Sequence, residues 1–228
     1  MWMTASANTD TPSMNPAWVV RKDAITDPTY AWLGRRAYEP MWRQLRDRAA
    51  AVAEDLHDET VWSCEHDPVY TTGKRGIDNS LGVLPAPFVH TDRGGETTFH
   101  GPGQLMLYPI LHLRRRGMGA KAYLHLIEQS CIDLLAELGL ASSRRCGQPG
   151  IWLDDAKIAA IGLRIHKGVA YHGMALNVNV APQWFSAIQP CGLSLPVTSL
   201  SDHVSRFKPI SVLADKWNAQ LNMLLKNA

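Results

Sequence analysis

Two stretches of this 228-residue chain have residue types and spacing that could do chemistry. The first is the run Arg93-Gly94-Gly95-Glu96-Thr97-Thr98-Phe99-His100-Gly101-Pro102-Gly103-Gln104. Glycines lack Cβ, so their backbone N–H groups can approach a ligand closely, and Arg93 and His100 add directional donors. The run holds neither GxGxxG nor GK[ST], so its spacing does not indicate a nucleotide. Spacing alone leaves two readings open, a ligand-binding loop and a tight Gly-rich connection between strands. The second stretch centres on Lys157. Strand alternation puts it on one side with Ala159, Ile161, Leu163 and Ile165, while Arg164 and His166 mark a solvated side. A lysine on an apolar side is desolvated, which lowers its pKa toward general-base values. The competing reading is a strand-end lysine snorkelling just past a turn.

The four cysteines, Cys64, Cys131, Cys146 and Cys191, form no CxxC pair, which favours free thiols in a reducing compartment. Cys131 lies on an apolar helix face and Cys64 in a strand-like run, both positions of core packing. Cys146 follows Arg144-Arg145, whose charges favour a thiolate. Cys191 stands between Pro190 and Gly192, where a turn could present a thiol. Position does not choose between the last two. The nine histidines show no HExxH or similar spacing, so no metal is expected.

These groups must be held by a scaffold, and its composition limits what it can be. With 23 Lys plus Arg against 21 Asp plus Glu the net charge is +2, which excludes a generic nucleic-acid binder. No apolar run approaches a membrane span. Residues 1–16 carry no Lys or Arg and no apolar stretch, so they are expected to be a disordered tail and not a secretory signal; a cytoplasmic protein is the expectation. A first strand is expected at Trp18-Val19-Val20, and a helix after Pro40 from the recurrence of Met41, Leu45, Ala49, Val52 and Leu56. Strands follow at Thr60-Val61-Trp62, Val69-Tyr70-Thr71, Phe88-Val89-His90 and 104–111. A helix at 120–138 buries Leu124, Ile127, Cys131, Leu134, Leu135 and Leu138 and ends at Gly139. Ile151-Trp152-Leu153, 157–165 and 169–180 read as a three-strand meander, and Val212, Leu213, Trp217, Leu221, Leu224 and Leu225 as a closing helix. Strands and helices mix without strict βαβ alternation. The expected fold is therefore α/β of the mixed α+β kind, one domain over 17–228.

The residues also resemble a known family. His66-Asp67-Pro68-Val69-Tyr70-Thr71-Thr72-Gly73, the run from Arg93, Lys157-Ile158-Ala159-Ala160-Ile161-Gly162-Leu163, His172-Gly173-Met174-Ala175-Leu176-Asn177-Val178 and Pro190-Cys191-Gly192 occur in that order. Over roughly residues 17–215 the chain resembles the octanoyl-(acyl-carrier-protein):protein N-octanoyltransferases of lipoate biosynthesis. The resemblance implies the fold of the biotin and lipoate protein ligases, with Cys191 as acyl-carrying nucleophile and Lys157 as its acid/base partner. It implies substrate contacts from Arg93, Gly94, Gly95, Glu96, Thr97, Thr98, Phe99 and His100, from Ala160, Ile161 and Gly162, and from Gly173, Met174 and Ala175. No cofactor is implied. The implied donor is octanoyl-acyl carrier protein, and the acceptors are lipoyl domains of 2-oxoacid dehydrogenase E2 subunits and the glycine cleavage H protein. Cys146 departs from the pattern, since the family does not usually carry a thiol there. Arg93, Arg114, Arg115, Arg116 and Lys121 stand against Glu96 alone between 93 and 125, which leaves two readings, a segment that steers an acidic carrier and an ordinary solvated turn before the helix. Two rival readings are an ATP-dependent lipoate or biotin protein ligase on the same fold and a non-catalytic acyl-binding protein.

Overall fold

The computed structural model describes residues 26–76, 84–188 and 196–228. The expected tail, the strand expected at Trp18-Val19-Val20 and Cys191 lie outside the described residues. Among the described residues ten strands and four α-helices follow one another: β1 (Thr29–Arg36), α1 (Tyr38–Ala53), β2 (Thr60–His66), β3 (Val69–Thr72), β4 (Phe88–His90), β5 (Thr98–His100) and β6 (Gln104–His112). Then come α2 (Ala120–Glu137), β7 (Ser143–Arg145), β8 (Gln148–Leu153), β9 (Ala156–His166), β10 (Val169–Asn177), the single-turn α3 (Gln183–Ser186) and α4 (Ile210–Lys226). Seven strands form a mixed sheet in the order β1-β2-β6-β10-β9-β8-β7, and β4-β3-β5 form a separate small sheet.

The large sheet carries helices on both faces. Leu134 and Leu135 of α2 and Trp217 and Leu221 of α4 pack with Leu105, Leu107, Met174 and Leu176 on one face. Met41, Leu45, Ala49 and Val52 of α1 pack with Met106, Ile110 and Ala175 on the other. Central strands covered on both faces can be apolar throughout, and every residue of β6 and β10 is buried. The mixed α/β expectation and the meander β8-β9-β10 match the structure.

Several local expectations do not. Leu56 lies past the end of α1 and is 70% exposed, because helix α1 stops at Ala53 and the chain turns at Asp55, whose φ is +61°. β1 carries no clean apolar alternation and was not foreseen; it is held by its parallel pairing with β2. β5 forms inside the Gly-rich run, where Phe99 pairs opposite Tyr70 and stacks on Trp184. In the basic segment 93–125, Arg115 pairs with Asp55, Arg116 with the part-buried Glu59, and Arg93 is buried, while Arg114 and Lys121 are exposed.

Candidate active site

A cleft of about 540 Å³ opens on the α1 side of the large sheet, where the small sheet leans over β6, β9 and β10. Its floor is made of small residues, Ala160 and Gly162 of β9 facing Ala175 and Gly173 of β10. A Cβ at Gly173 would collide with the Leu107 carbonyl oxygen, so the approach of β10 to β6 requires glycine there. Arg93, Gly95, Glu96, Thr97, Thr98 and His100 form part of the wall, and Lys157 stands among the residues that line the cleft. The structure thus brings together most of the expected positions, which are far apart in sequence. Gly94, Phe99 and Met174 do not line the cleft. The Gly94 N–H bonds the Leu163 carbonyl, Phe99 fills an aromatic cluster, and Met174 points into the core on the α2 side.

Arg93 is not free to meet a ligand with its whole guanidinium. Nη2 donates to the Thr71 carbonyl at 2.7 Å, to Thr71 Oγ1 at 2.9 Å and to the Glu96 carbonyl at 2.9 Å, while Nη1 donates to the Gly94 carbonyl. These bonds tie the loop to β3. Its Nε is buried and finds no partner among the described residues. Burial pushes the Arg93 pKa down, yet a guanidinium stays charged at any physiological pH.

Asp92 anchors the same loop to the opposite elements. Its carboxylate accepts from Trp42 Nε1 of α1 at 3.0 Å, from His172 Nε2 of β10 at 2.8 Å, and from the Tyr171 hydroxyl. Burial alone would raise its pKa, but the bonds from His172, Tyr171 and Trp42 outweigh it and hold the carboxyl well below its usual range. His172 reaches Asp92 with φ at +59°, a left-handed conformation rare for a non-glycine residue. The β10–β6 pairing is interrupted between Ala170 and Met174, beside Pro109, which has no N–H to give to a ladder.

Behind the cleft sits a set of neutral polar groups. His66 donates from Nδ1 to the Arg36 carbonyl, so its Nε2 accepts from the Tyr108 hydroxyl at 2.8 Å. Burial lowers its pKa to about 4. His100 stacks on Tyr38 and bonds Gln104, which continues to Asn177 and on to the Thr198 carbonyl. Burial, with Arg93 nearby, keeps His100 uncharged. Sequence reasoning missed Tyr38, Asp92, Gln148, His172 and Asn177. His172 and Asn177 stand inside the run 172–178 that carries the family resemblance, and that was a signal for them.

Lys157 reaches the cleft by a route the alternation did not foresee. β8 pairs Ile151 with Ala159 and Trp152 with Lys157, so Ile158 is an extra residue, a bulge. Ile158 and Ala159 both pack into the α2-side core, and parity flips between them and Lys157. Lys157 therefore joins Ala160 and Gly162 in lining the cleft, while Ala159 faces the α2-side core and Ile161 packs against that core and also borders the cleft. Lys157 is half-buried, and desolvation lowers its pKa, opposed in part by the negative charge of Glu96. Nζ donates to the Pro149 carbonyl at 3.2 Å and lies 4.9 Å from the centre of the Trp152 ring. The Lys157 backbone also receives the incoming segment: its N–H bonds the Pro196 carbonyl at 2.8 Å, and its carbonyl accepts from the Thr198 N–H. Ile188 and Val197, the described residues closest in sequence to Cys191 that line the cleft, lie on either side of it in the chain.

The remaining thiols separate clearly. Cys64 and Cys131 are buried, and burial pushes the Cys64 thiol up to about 12 and that of Cys131 higher still; neither can serve as a thiolate. Cys146 is exposed at the β7–β8 turn. Among the described residues no cluster of three His, Cys, Asp or Glu could hold a metal, and no helix is long and apolar enough to cross a membrane.

The chain belongs to the family of the lipoyl protein ligase A/B catalytic domain, whose model matches residues 43–221. The octanoyltransferase of Methylococcus capsulatus is 43% identical over 194 residues, covering 83% of this chain and 93% of that protein. The chain falls among these octanoyltransferases and is an acyltransferase. A bipartite lipoate protein ligase from Thermoplasma acidophilum has the same fold, with a TM-score of 0.66 at 13% identity over 88% of this chain and 84% of that one. A biotin protein ligase from Aquifex aeolicus, solved with biotin and ATP, superposes at a TM-score of 0.57 and 13% identity over 87% and 71%.

Proposed function

We propose that the chain moves an octanoyl or lipoyl group from acyl carrier protein to the thiol of Cys191. From there the group passes to a specific lysine of lipoyl domains, those of 2-oxoacid dehydrogenase E2 subunits and the glycine cleavage H protein. The observation that carries this reading is the position of Lys157, half-buried in a cleft that Ile188 and Val197 also line on either side of Cys191 in the chain.

In the first half-reaction neutral Lys157 takes the Cys191 thiol proton, and the thiolate attacks the carbonyl of the carrier thioester. The carbon–sulfur bond to the carrier breaks, and the Lys157 ammonium protonates the departing thiolate. In the second, Lys157 takes a proton from the acceptor amine as it attacks the enzyme thioester. An amide forms, and the proton returns to the Cys191 sulfur. One thioester replaces another and then becomes a more stable amide, so no ATP is needed. Backbone N–H groups around the cleft supply candidate donors for the tetrahedral oxyanion. A free thiol nucleophile suits a reducing cytoplasm. The ATP-bound ligase of the same fold keeps one second reading in play, activation of a free acid by ATP.

Intact-protein mass spectrometry after mixing with octanoyl-carrier protein tests the proposal. The octanoyl mass should appear without ATP and map to the peptide holding Cys191. Cys191→Ala should abolish both acyl-enzyme and transfer, Lys157→Ala should slow both half-reactions, and Cys146→Ala should change neither. Label on Cys146, or a requirement for ATP and free octanoate, would overturn it.

A further inference from the structure

We infer that Trp152 is a positioning residue for Lys157, its indole face holding the amine in the cleft and favouring the ammonium form. This rests on the reading of Lys157 as the acid/base group. Trp152 and Lys157 are direct cross-strand partners between β8 and β9, the arrangement that brings side chains on one side of a sheet closest together. The bulge at Ile158 gives Lys157 the same side as the indole, and Nζ lies 4.9 Å from the ring centre, within the range of a cation–π contact. The ring cannot swing away: it is fully buried, and its Nε1 donates to the Gln148 carbonyl at 3.2 Å. Pro149, the next residue, supplies the carbonyl that accepts from Nζ. Gly150 follows with φ at +120°, a conformation that lets this strand start come close to β9. Three consecutive positions and one indole thus form a cradle for a single amine.

The cradle solves a chemical conflict. A half-buried lysine loses hydration, which drives it toward the neutral base, yet the same amine must carry a proton from one step to the next. An aromatic face and a carbonyl stabilise the ammonium without the full charge of a carboxylate, which would hold the proton too tightly. Glu96 acts on the amine across the cleft, Arg75 is on the cleft wall, and Arg145, paired with Asp155, lies 4.5 Å from the centre of the same indole. Among the described residues, Arg93 is a further charge on the wall of the same cleft.

The test keeps the shape of the ring and changes only its electrons. Mono-, di- and trifluorotryptophan are placed at position 152 alone, and the pKa of Lys157 is read from the pH dependence of its acetylation by acetic anhydride, followed on its peptide by mass spectrometry. Fluorine weakens the negative ring face, so the ammonium should lose stabilisation at each step. The Lys157 pKa should fall progressively, by about half to one pH unit over the series, and the acid limb of the octanoyl-transfer rate should move with it. Trp152→Phe should fall within the series. A Lys157 pKa that stays constant across the three fluorinated proteins would overturn the inference. Failure of the underlying acid/base reading shows separately, as wild-type acylation rates in Lys157→Ala.

Discussion

Replacing Glu128 by Ala should loosen the β7–β8 hairpin and reach Lys157 through it. Glu128 projects from α2 and is almost fully buried; Oε1 accepts from the Gly150 N–H at 3.1 Å and Oε2 from Arg144 Nε at 3.1 Å. Alanine leaves the Gly150 N–H buried without an acceptor, a loss of about 1–3 kcal/mol. It also removes a charged acceptor from Arg144, but Arg144 keeps the His125 carbonyl and Gln129, and its quarter-exposed guanidinium recovers some hydration. The sum is about 2–4 kcal/mol, equivalent to a melting point lower by about 4–16 °C for a chain of this length. Urea unfolding of Glu128→Ala, Arg144→Ala and the double variant measures it. The double variant should cost less than the two singles added together, because both remove the same bond. Gly150 is adjacent to Pro149, whose carbonyl holds Nζ, so Glu128→Ala should also lose transfer activity at temperatures where it is fully folded. Strict additivity would refute the shared bond. Full specific activity in the folded variant would refute the route from α2 to Lys157.

Three further outcomes follow from buried groups elsewhere. His66 is held neutral at a pKa of about 4 against 6.5 when unfolded, so the fold is favoured above pH 6.5 and loses that advantage as pH falls toward 4. His66→Gln should therefore lose about 3 kcal/mol less than the parent between pH 7 and pH 4 in urea titrations, and parallel pH curves would refute the assignment. Gly173→Ala should prevent soluble folding, because its Cβ meets the Leu107 backbone, whereas Gly117→Ala, with open space around it, should pay only the strain of its positive φ; equal expression of the two would count against the close approach of β10 to β6. Arg116→Ala should cost about 1–3 kcal/mol by removing the ion-pair partner of the part-buried Glu59, which keeps the His112 N–H, yet leave the KM for octanoyl-carrier protein unchanged in the folded fraction. A raised KM from Arg114→Ala alone would mark the exposed Arg114 as part of a carrier-docking surface.

The motifs near Arg93, Lys157 and Gly173 could be read from the chain because they are local: glycines where backbones must meet, and polar residues between apolar strands. The helices α2 and α4 and the meander β8-β9-β10 could be read for the same reason, since their periods of 3.6 and 2 follow from backbone geometry alone. What alternation could not reveal was a change of parity. The bulge at Ile158 depends on how β8 registers against β9, and it puts Lys157 in the cleft, on the side opposite the one its neighbours implied. The same limit hid Asp92 and His172, whose bond joins residues 80 positions apart and is made possible by an interrupted ladder beside Pro109. Charge counting likewise could not show that Arg115 and Arg116 have acidic partners, because Asp55 and Glu59 are distant in sequence and meet them only in space. Residue types and local periods determined which groups were present and which elements could carry them. Strand register and long-range pairing, set by packing over the whole sheet, decided which of those groups meet.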